Sequence, residues 1–207
     1  MKKLLHTSLA GVLIGCAFPV IAASTAELAV KGMIVPSACE LSLSAKTVEV
    51  GRISVKDLNQ DTRTQLTPTT LQLGINCDAP TLFAMETTDN QSDSGAHAEY
   101  GIGKTIPGER IGGYYMTLDQ GVADEATVML IQSTNGGTTW GTMAPGDGWS
   151  TTMMVSIRDP GAARVPVPAK DTQMALSVLP FILPAKNMTL GEDTPIDGSV
   201  TITVKYL

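Results

Sequence analysis

The chain has 207 residues, of which 43% are hydrophobic and only 16% charged, with 14 basic against 20 acidic side chains. The resulting net charge of −6 argues against nucleic acid or an anionic membrane surface as partner. Few charges beside many Thr, Ser and Gly indicate a folded, β-rich, secreted composition and exclude a disordered one.

Lys2 and Lys3 form a short basic region, and residues 4–21 are apolar apart from His6, Thr7 and Ser8. Val20-Ile21-Ala22 closes the stretch with small residues. Residues 1–22 therefore read as a secretory signal peptide, with cleavage after Ala23 equally legal. Leu13-Ile14-Gly15-Cys16 also resembles a lipobox in which Cys16 would be lipidated, although apolar residues follow where polar ones normally stand. No later segment reaches about 18 consecutive apolar residues, so no transmembrane helix is expected. Residues 23–207 suit one domain. Without Lys2 and Lys3, 12 basic residues face 20 acidic ones, a net charge of −8.

Alternation of apolar and polar residues dominates the mature chain, with turn residues between the runs. Residues 26–35 read as a first strand, with Leu28, Val30 and Ile34 on one face and Pro36 ending it. Residues 47–53 read as a second, shifted at Gly51. Residues 69–77 place Leu71, Leu73, Ile75 and Cys77 on one face. A turn at Asp78-Ala79-Pro80 then leads to a strand over 82–87. The polar, Gly-rich stretch 89–107 reads as a long loop or weak edge, and 113–118 as a strand.

Segments 126–132 and 138–142 flank Asn135-Gly136, a hairpin signal because both turn positions need φ > 0. Residues 149–157 read as a strand and 159–170 as a Pro- and Gly-rich loop. Residues 174–183 form a strand that Pro180 marks as an edge or a bulge. After a loop over 187–197, the last run puts Val200, Ile202, Val204 and Tyr206 on one face, and Ser199, Thr201, Thr203 and Lys205 on the other. Short strands at regular spacing predict an all-β sandwich.

Export leaves Cys39 and Cys77, and an exported chain with two cysteines most often pairs them. Closing that 38-residue separation would stabilise the fold by about 3–4 kcal/mol in the chain-entropy model. Zinc would need more ligands than His97 and two cysteines supply, so no metal is expected.

Gly101-Ile102-Gly103-Lys104-Thr105 resembles the end of a phosphate-binding loop. Position 98 is Ala98 where that motif has glycine, and no strand–helix frame surrounds it, so it reads as a Gly-rich turn. Asp89, Gln91 and Asp93 are spaced like the start of a calcium loop. Position 100 is Tyr100 where a glutamate belongs, which leaves a solvated loop. No Gly-x-Ser-x-Gly elbow, triad or carboxylate pair can be assembled. Neither catalysis nor a cofactor is expected. Trp140 and Trp149 flank a Gly-rich turn and read either as a sugar platform or as core packing.

Four stretches carry a family likeness. Val30-Lys31-Gly32-Met33-Ile34-Val35-Pro36-Ser37-Ala38-Cys39 resembles the first strand of chaperone–usher pilins. Val48-Glu49-Val50-Gly51-Arg52-Ile53, with Leu58 after it, resembles their next segment. Leu71-Gln72-Leu73-Gly74-Ile75-Asn76-Cys77-Asp78 resembles the strand that carries their second cysteine, and the cysteine spacing fits. A terminal strand with penultimate Tyr206 completes the likeness, which covers about a third of the mature chain. Within that superfamily the chain is similar to a poorly characterised group of fimbrial-like proteins (beta-fimbriae) of proteobacteria.

The resemblance implies an immunoglobulin-like, pilin-type sandwich that lacks its last strand and holds one Cys39–Cys77 disulfide. It implies that Val200, Ile202, Val204 and Tyr206 border a groove filled first by a periplasmic pilus chaperone. At the outer-membrane usher, a strand of another fimbrial subunit would then replace the chaperone, carrying the protein from the periplasm to the bacterial surface and to a host glycan or surface. Upstream of Val30 only residues 23–29 are available, fewer than the roughly ten of a full donor strand. Three readings follow. The first strand (Leu28, Val30, Gly32, Ile34) doubles as a short donor; the subunit accepts without donating; or the sandwich completes itself. The alternative function is a self-complemented secreted or periplasmic binding module for carbohydrate or surface adhesion, lipid-anchored if Cys16 is modified.

Overall fold

The computed structural model describes residues 38–207 except His97 and Gln120. The expected signal peptide, Cys16 and the first strand with Leu28, Val30, Gly32 and Ile34 lie outside the described residues.

Twelve strands are found among the described residues: β1 (Cys39–Leu43), β2 (Thr64–Gln65), β3 (Thr69–Thr81), β4 (Phe83–Asp89), β5 (Tyr100–Gly101), β6 (Gly112–Leu118), β7 (Gly121–Ala123), β8 (Ala126–Ser133), β9 (Gly141–Thr142), β10 (Met154–Arg158), β11 (Ala169–Ile182) and β12 (Val200–Tyr206). Their pairings are antiparallel, and the order runs β1-β3-β11-β7-β8-β10-β4-β12. The long β11 also carries β6 and the short β2. β7 pairs with both β11 and β8, which joins the two sheets along one side. On the other side the order ends at β1 and β12, which do not pair. The result is an all-β sandwich, nearly closed into a barrel and, among the described residues, open along one seam.

Alternation selects the core. Leu73, Ile75 and Cys77 of β3 are fully buried, as are Phe83 and Met85 of β4, Met116 and Leu118 of β6, and Val155 and Ile157 of β10. They interdigitate between the sheets, and burying each large apolar side chain contributes about 1.5–3 kcal/mol.

The structure departs from the sequence expectations in five places. Residues 47–53 form no strand. They alternate in exposure, with Val48, Val50 and Ile53 half-buried, but no described strand runs alongside to bond them. The expected turn at Asp78-Ala79-Pro80 is absent, and β3 continues to Thr81. Pro80 lies beyond the described start of β1, so its missing N–H interrupts no described ladder. A register shift between Ala169 and Asp171 lets β11 follow the extended β3.

Part of the stretch read as a loop over 89–107 is ordered and inward-facing. Asp89 accepts the backbone N–H groups of Gln91 and Gly101, both at 2.9 Å. That turn sends Tyr100 and Ile102 into the core. A side chain at position 101 would start 2.2 Å from the Gln91 carbonyl oxygen, so the close approach requires glycine.

In the β8–β9 connection, positive φ falls on Gly136 and Gly137 rather than on Asn135. The Asn135 side chain instead accepts from the Ser133 hydroxyl and donates to Thr139, each at 2.8 Å. The strand expected from 149 begins only at Met154, because Trp149 is held in the preceding loop by its N–H bond to the Met116 carbonyl at 2.7 Å. Pro180 marks neither an edge nor a bulge: β11 is paired on both sides, with Tyr114 of β6 opposite Pro180 on one, and Pro180 stands where the other side passes from β3 to β2. Its absent donor therefore falls in a gap between partners.

Candidate functional site: an open seam between β1 and β12

The seam can be built from backbone parity. In an antiparallel pair, alternate residues aim their N–H and C=O at the partner and the others aim them away. Asn90 N–H bonds Ser199 O at 3.0 Å, and Leu207 N–H bonds Leu82 O at 3.1 Å. With the register Val200↔Asp89 through Tyr206↔Phe83, the odd residues of β12 face β4. The backbone groups of Val200, Ile202, Val204 and Tyr206 then point into the seam.

The same reasoning applies across it. Asp78 N–H bonds Ala38 O and Ser44 N–H bonds Gln72 O, so the even residues of β1 face β3. Leu41 and Leu43 turn their backbone groups toward β12. Both edges of the seam thus carry hydrogen-bonding groups with no described strand beside them.

Side chains make the seam apolar. A groove of about 1070 Å³ lies along it. Leu71, Met116 and Leu176 form its floor; Leu41, Leu43, Val48 and Val50 one wall; Val200, Ile202 and Ile196 the other. Val200, Ile202 and Val204 are half-buried and pack on the core. Val204 and Tyr206 do not line the groove, because the seam closes there. The Tyr206 hydroxyl accepts the Cys39 backbone N–H at 2.9 Å. Cys39 and Cys77 are directly opposite in the β1–β3 ladder and are disulfide-bonded, so the closed end is cross-linked to the core. The opposite end opens between residues 46–53 and 188–199. There an exposed Arg52–Asp193 ion pair spans the two walls at 3.5 Å, and Glu49, Glu192 and Asp197 make the rim acidic.

Beneath the open end, Tyr114 stacks on Tyr100 with ring centroids 5.1 Å apart. Burial pushes the Tyr100 phenol up to about 12, against the Thr87 hydrogen bond that favours ionisation. Burial raises the Tyr114 phenol as well, with the Asp89 charge adding to it. Both phenols are therefore uncharged at physiological pH. The seam can hold an extended apolar chain.

Of the site residues expected from sequence, the structure brings Cys39, Cys77 and Tyr206 together at the closed end and places Val200 and Ile202 on the groove. The tryptophan pair is not a sugar platform. Trp149 is a core residue at 1% exposure, while Trp140 is half-buried in the β8–β9 loop. Ile102, Ile111 and Met116 also line the groove, and no local sequence pattern marks Ile102 or Ile111 as buried.

A family model described as a protein of unknown function, DUF1120, matches residues 28–99, about a third of the chain, which includes β1, β3 and β4. Comparison with curated proteins gave no match.

Proposed function

We propose that this chain is a structural subunit of a bacterial surface fimbria, exported through the periplasm and assembled by strand complementation. The carrying observation is the seam: two antiparallel edges, β1 and β12, with outward backbone groups and an apolar groove between them. A strand laid there gains main-chain hydrogen bonds on both sides and buries alternate side chains, which is β-augmentation. Left uncovered, such an edge favours aggregation. A periplasmic chaperone would cover it first, and a strand of another subunit, exchanged at the outer-membrane usher, would replace it. No catalytic step, metal or cofactor enters the reading.

The test is hydrogen exchange on the exported, oxidised chain with and without a synthetic peptide of residues 23–36. The amides of Val200 and Ile202, and of Leu41 and Leu43, should become protected, while Thr201 and Thr203, already bonded to β4, should change little. Protection with no such alternation, or none at all, would sink the proposal.

A further inference from the structure

The two ends of the seam carry exposed apolar features that the groove does not use. At the open end, residues 103–111 form a short hairpin, closed by the Lys104↔Arg110 bridge and the Gly108 N–H bond to Thr105 O at 2.8 Å. Glu109 anchors it by accepting from the Thr189 backbone N–H and from the Thr105 and Thr189 hydroxyls. Its tip presents Ile106, 79% exposed, next to Pro107. Burying that isoleucine against a partner would contribute hydrophobic stabilisation that the isolated chain leaves unused. At the closed end, Leu82, Tyr206 and Leu207 are exposed. Leu207 and Trp140 both approach Gly137, and the Leu207 N–H bonds Leu82 O, so Leu82, Trp140 and Leu207 make one apolar patch, with the Tyr206 side chain on the opposite, seam-facing side of β12. The seven residues of β12 run from the open end to the closed end of the seam, about 20 Å.

We infer that these features meet between consecutive copies of this chain, the Ile106–Pro107 tip of one packing on the Leu82–Trp140–Leu207 patch of the next. The inference rests on the strand-complementation reading, with residues 26–35 of a second copy as the strand. The Tyr206–Cys39 bond closes one end of the groove. A donated strand must therefore lie with its leading residues toward that end and its Val35 end leaving at the open end, beside the Ile106 hairpin. From Val35 only Pro36 and Ser37 precede Ala38, and Ala38 joins β1 at the donor's own closed end. Three residue steps span at most about 11 Å. The donor's patch is thus delivered against the acceptor's tip. The rim residues Glu49, Glu192, Asp193 and Asp197 outnumber Lys46 and Arg52, and a donated segment carrying Lys31 complements that charge.

The experiment uses the exported, oxidised chain at concentrations that allow self-assembly, with Ile106→p-benzoylphenylalanine and an isotope-labelled copy mixed in. Detergent-resistant oligomers report strand donation, and the photo-cross-link reports the contact. The expected result is an inter-copy cross-link from position 106 to peptides holding residues 135–140 or 206–207. A companion Ile106→Lys chain, which should fold normally because the position is exposed, is expected to keep the oligomers but shorten them several-fold. Oligomers whose cross-links map elsewhere, or whose length Ile106→Lys leaves unchanged, would overturn the contact alone. No oligomers, with the peptide of residues 23–36 still protecting Ile202, would overturn donation by a second copy and the contact with it while sparing the acceptor role.

Discussion

The Tyr206 hydroxyl accepts the backbone N–H of Cys39 at 2.9 Å, tying the last described strand of one sheet to that of the other. The bond crosses the seam between β1 and β12 at its closed end. Replacing the tyrosine, Tyr206→Phe, keeps the ring and removes the bond. We expect a loss of about 0.5–1.5 kcal/mol in urea unfolding and faster exchange of the Cys39 amide. An unchanged Cys39 amide would show that the seam is held shut by something else.

Opposite faces of β12 should respond oppositely to the same charge. Ile202→Asp places a carboxylate among Leu71, Met116 and Val200, whereas Thr203→Asp faces solvent. The first should abolish binding of the peptide of residues 23–36 and cost roughly 1–3 kcal/mol; the second should bind normally and, because position 203 stands opposite Glu86, cost at most about 1 kcal/mol. Calorimetry on the two variants checks this, and equal binding would place the strand somewhere other than the groove.

Reduction of Cys39–Cys77 should lower stability by about 3–4 kcal/mol, the chain-entropy value for its 38-residue separation. It should also loosen the closed end, because the Tyr206 clasp is anchored on one of the bridged residues. The prediction is that dithiothreitol or Cys77→Ser raises exchange at Leu41 and Tyr206 before it affects β8 or β10. Uniform loosening of all strands would mean that the bridge acts on the unfolded chain alone.

Two titrations should bound the stable pH range. The Tyr100 phenol is raised by burial from 10.0 to about 12, so folding favours its neutral form. That contribution is complete below pH 10 and is lost as pH climbs from 10 toward 12. Glu99 behaves in the other sense. Burial works to raise its carboxyl, but hydrogen bonds from Tyr115 and Arg63 outweigh it and hold the group below its ordinary 4.5. Its contribution is present above 4.5 and disappears as pH falls below that value. Tyr100→Phe should flatten the alkaline limb of a stability–pH profile, and Glu99→Gln the acid limb; a limb that keeps its slope in its own variant would refute that assignment.

The sequence made the strands with clean alternation legible: Leu71 to Cys77 and Val200 to Tyr206 stand where alternation put them, and the disulfide joins the two cysteines expected. It was less reliable where hydrogen-bond partners, not pattern, decide. Residues 47–53 alternate as well as any strand, yet they have no described neighbour to bond. Pro80 and Pro180 look like breaks but sit where the described ladders make no demand for an N–H. Tyr100 and Ile102 are buried within a polar stretch because Asp89 turns the backbone around Gly101, an interaction that composition does not display. The groove floor was hidden for the same reason: Ile102, Ile111 and Met116 come from separate segments that meet only in three dimensions. What could be foreseen was the edge; what could not was the clasp that closes one end of it.

The clasp also has a kinetic meaning. Cys39 and Tyr206 are 167 positions apart, and β12 must find β4 across more than a hundred intervening residues. Contacts of such separation carry a loop-closure cost that must be met before they stabilise anything. Until they form, β4 is itself a bare edge with Met85 and Phe83 behind it. While β12 is undocked, the opening is therefore a full strand wider than in the finished fold. Substitutions in β12 should reduce the yield of folded protein more than their effect on final stability would suggest.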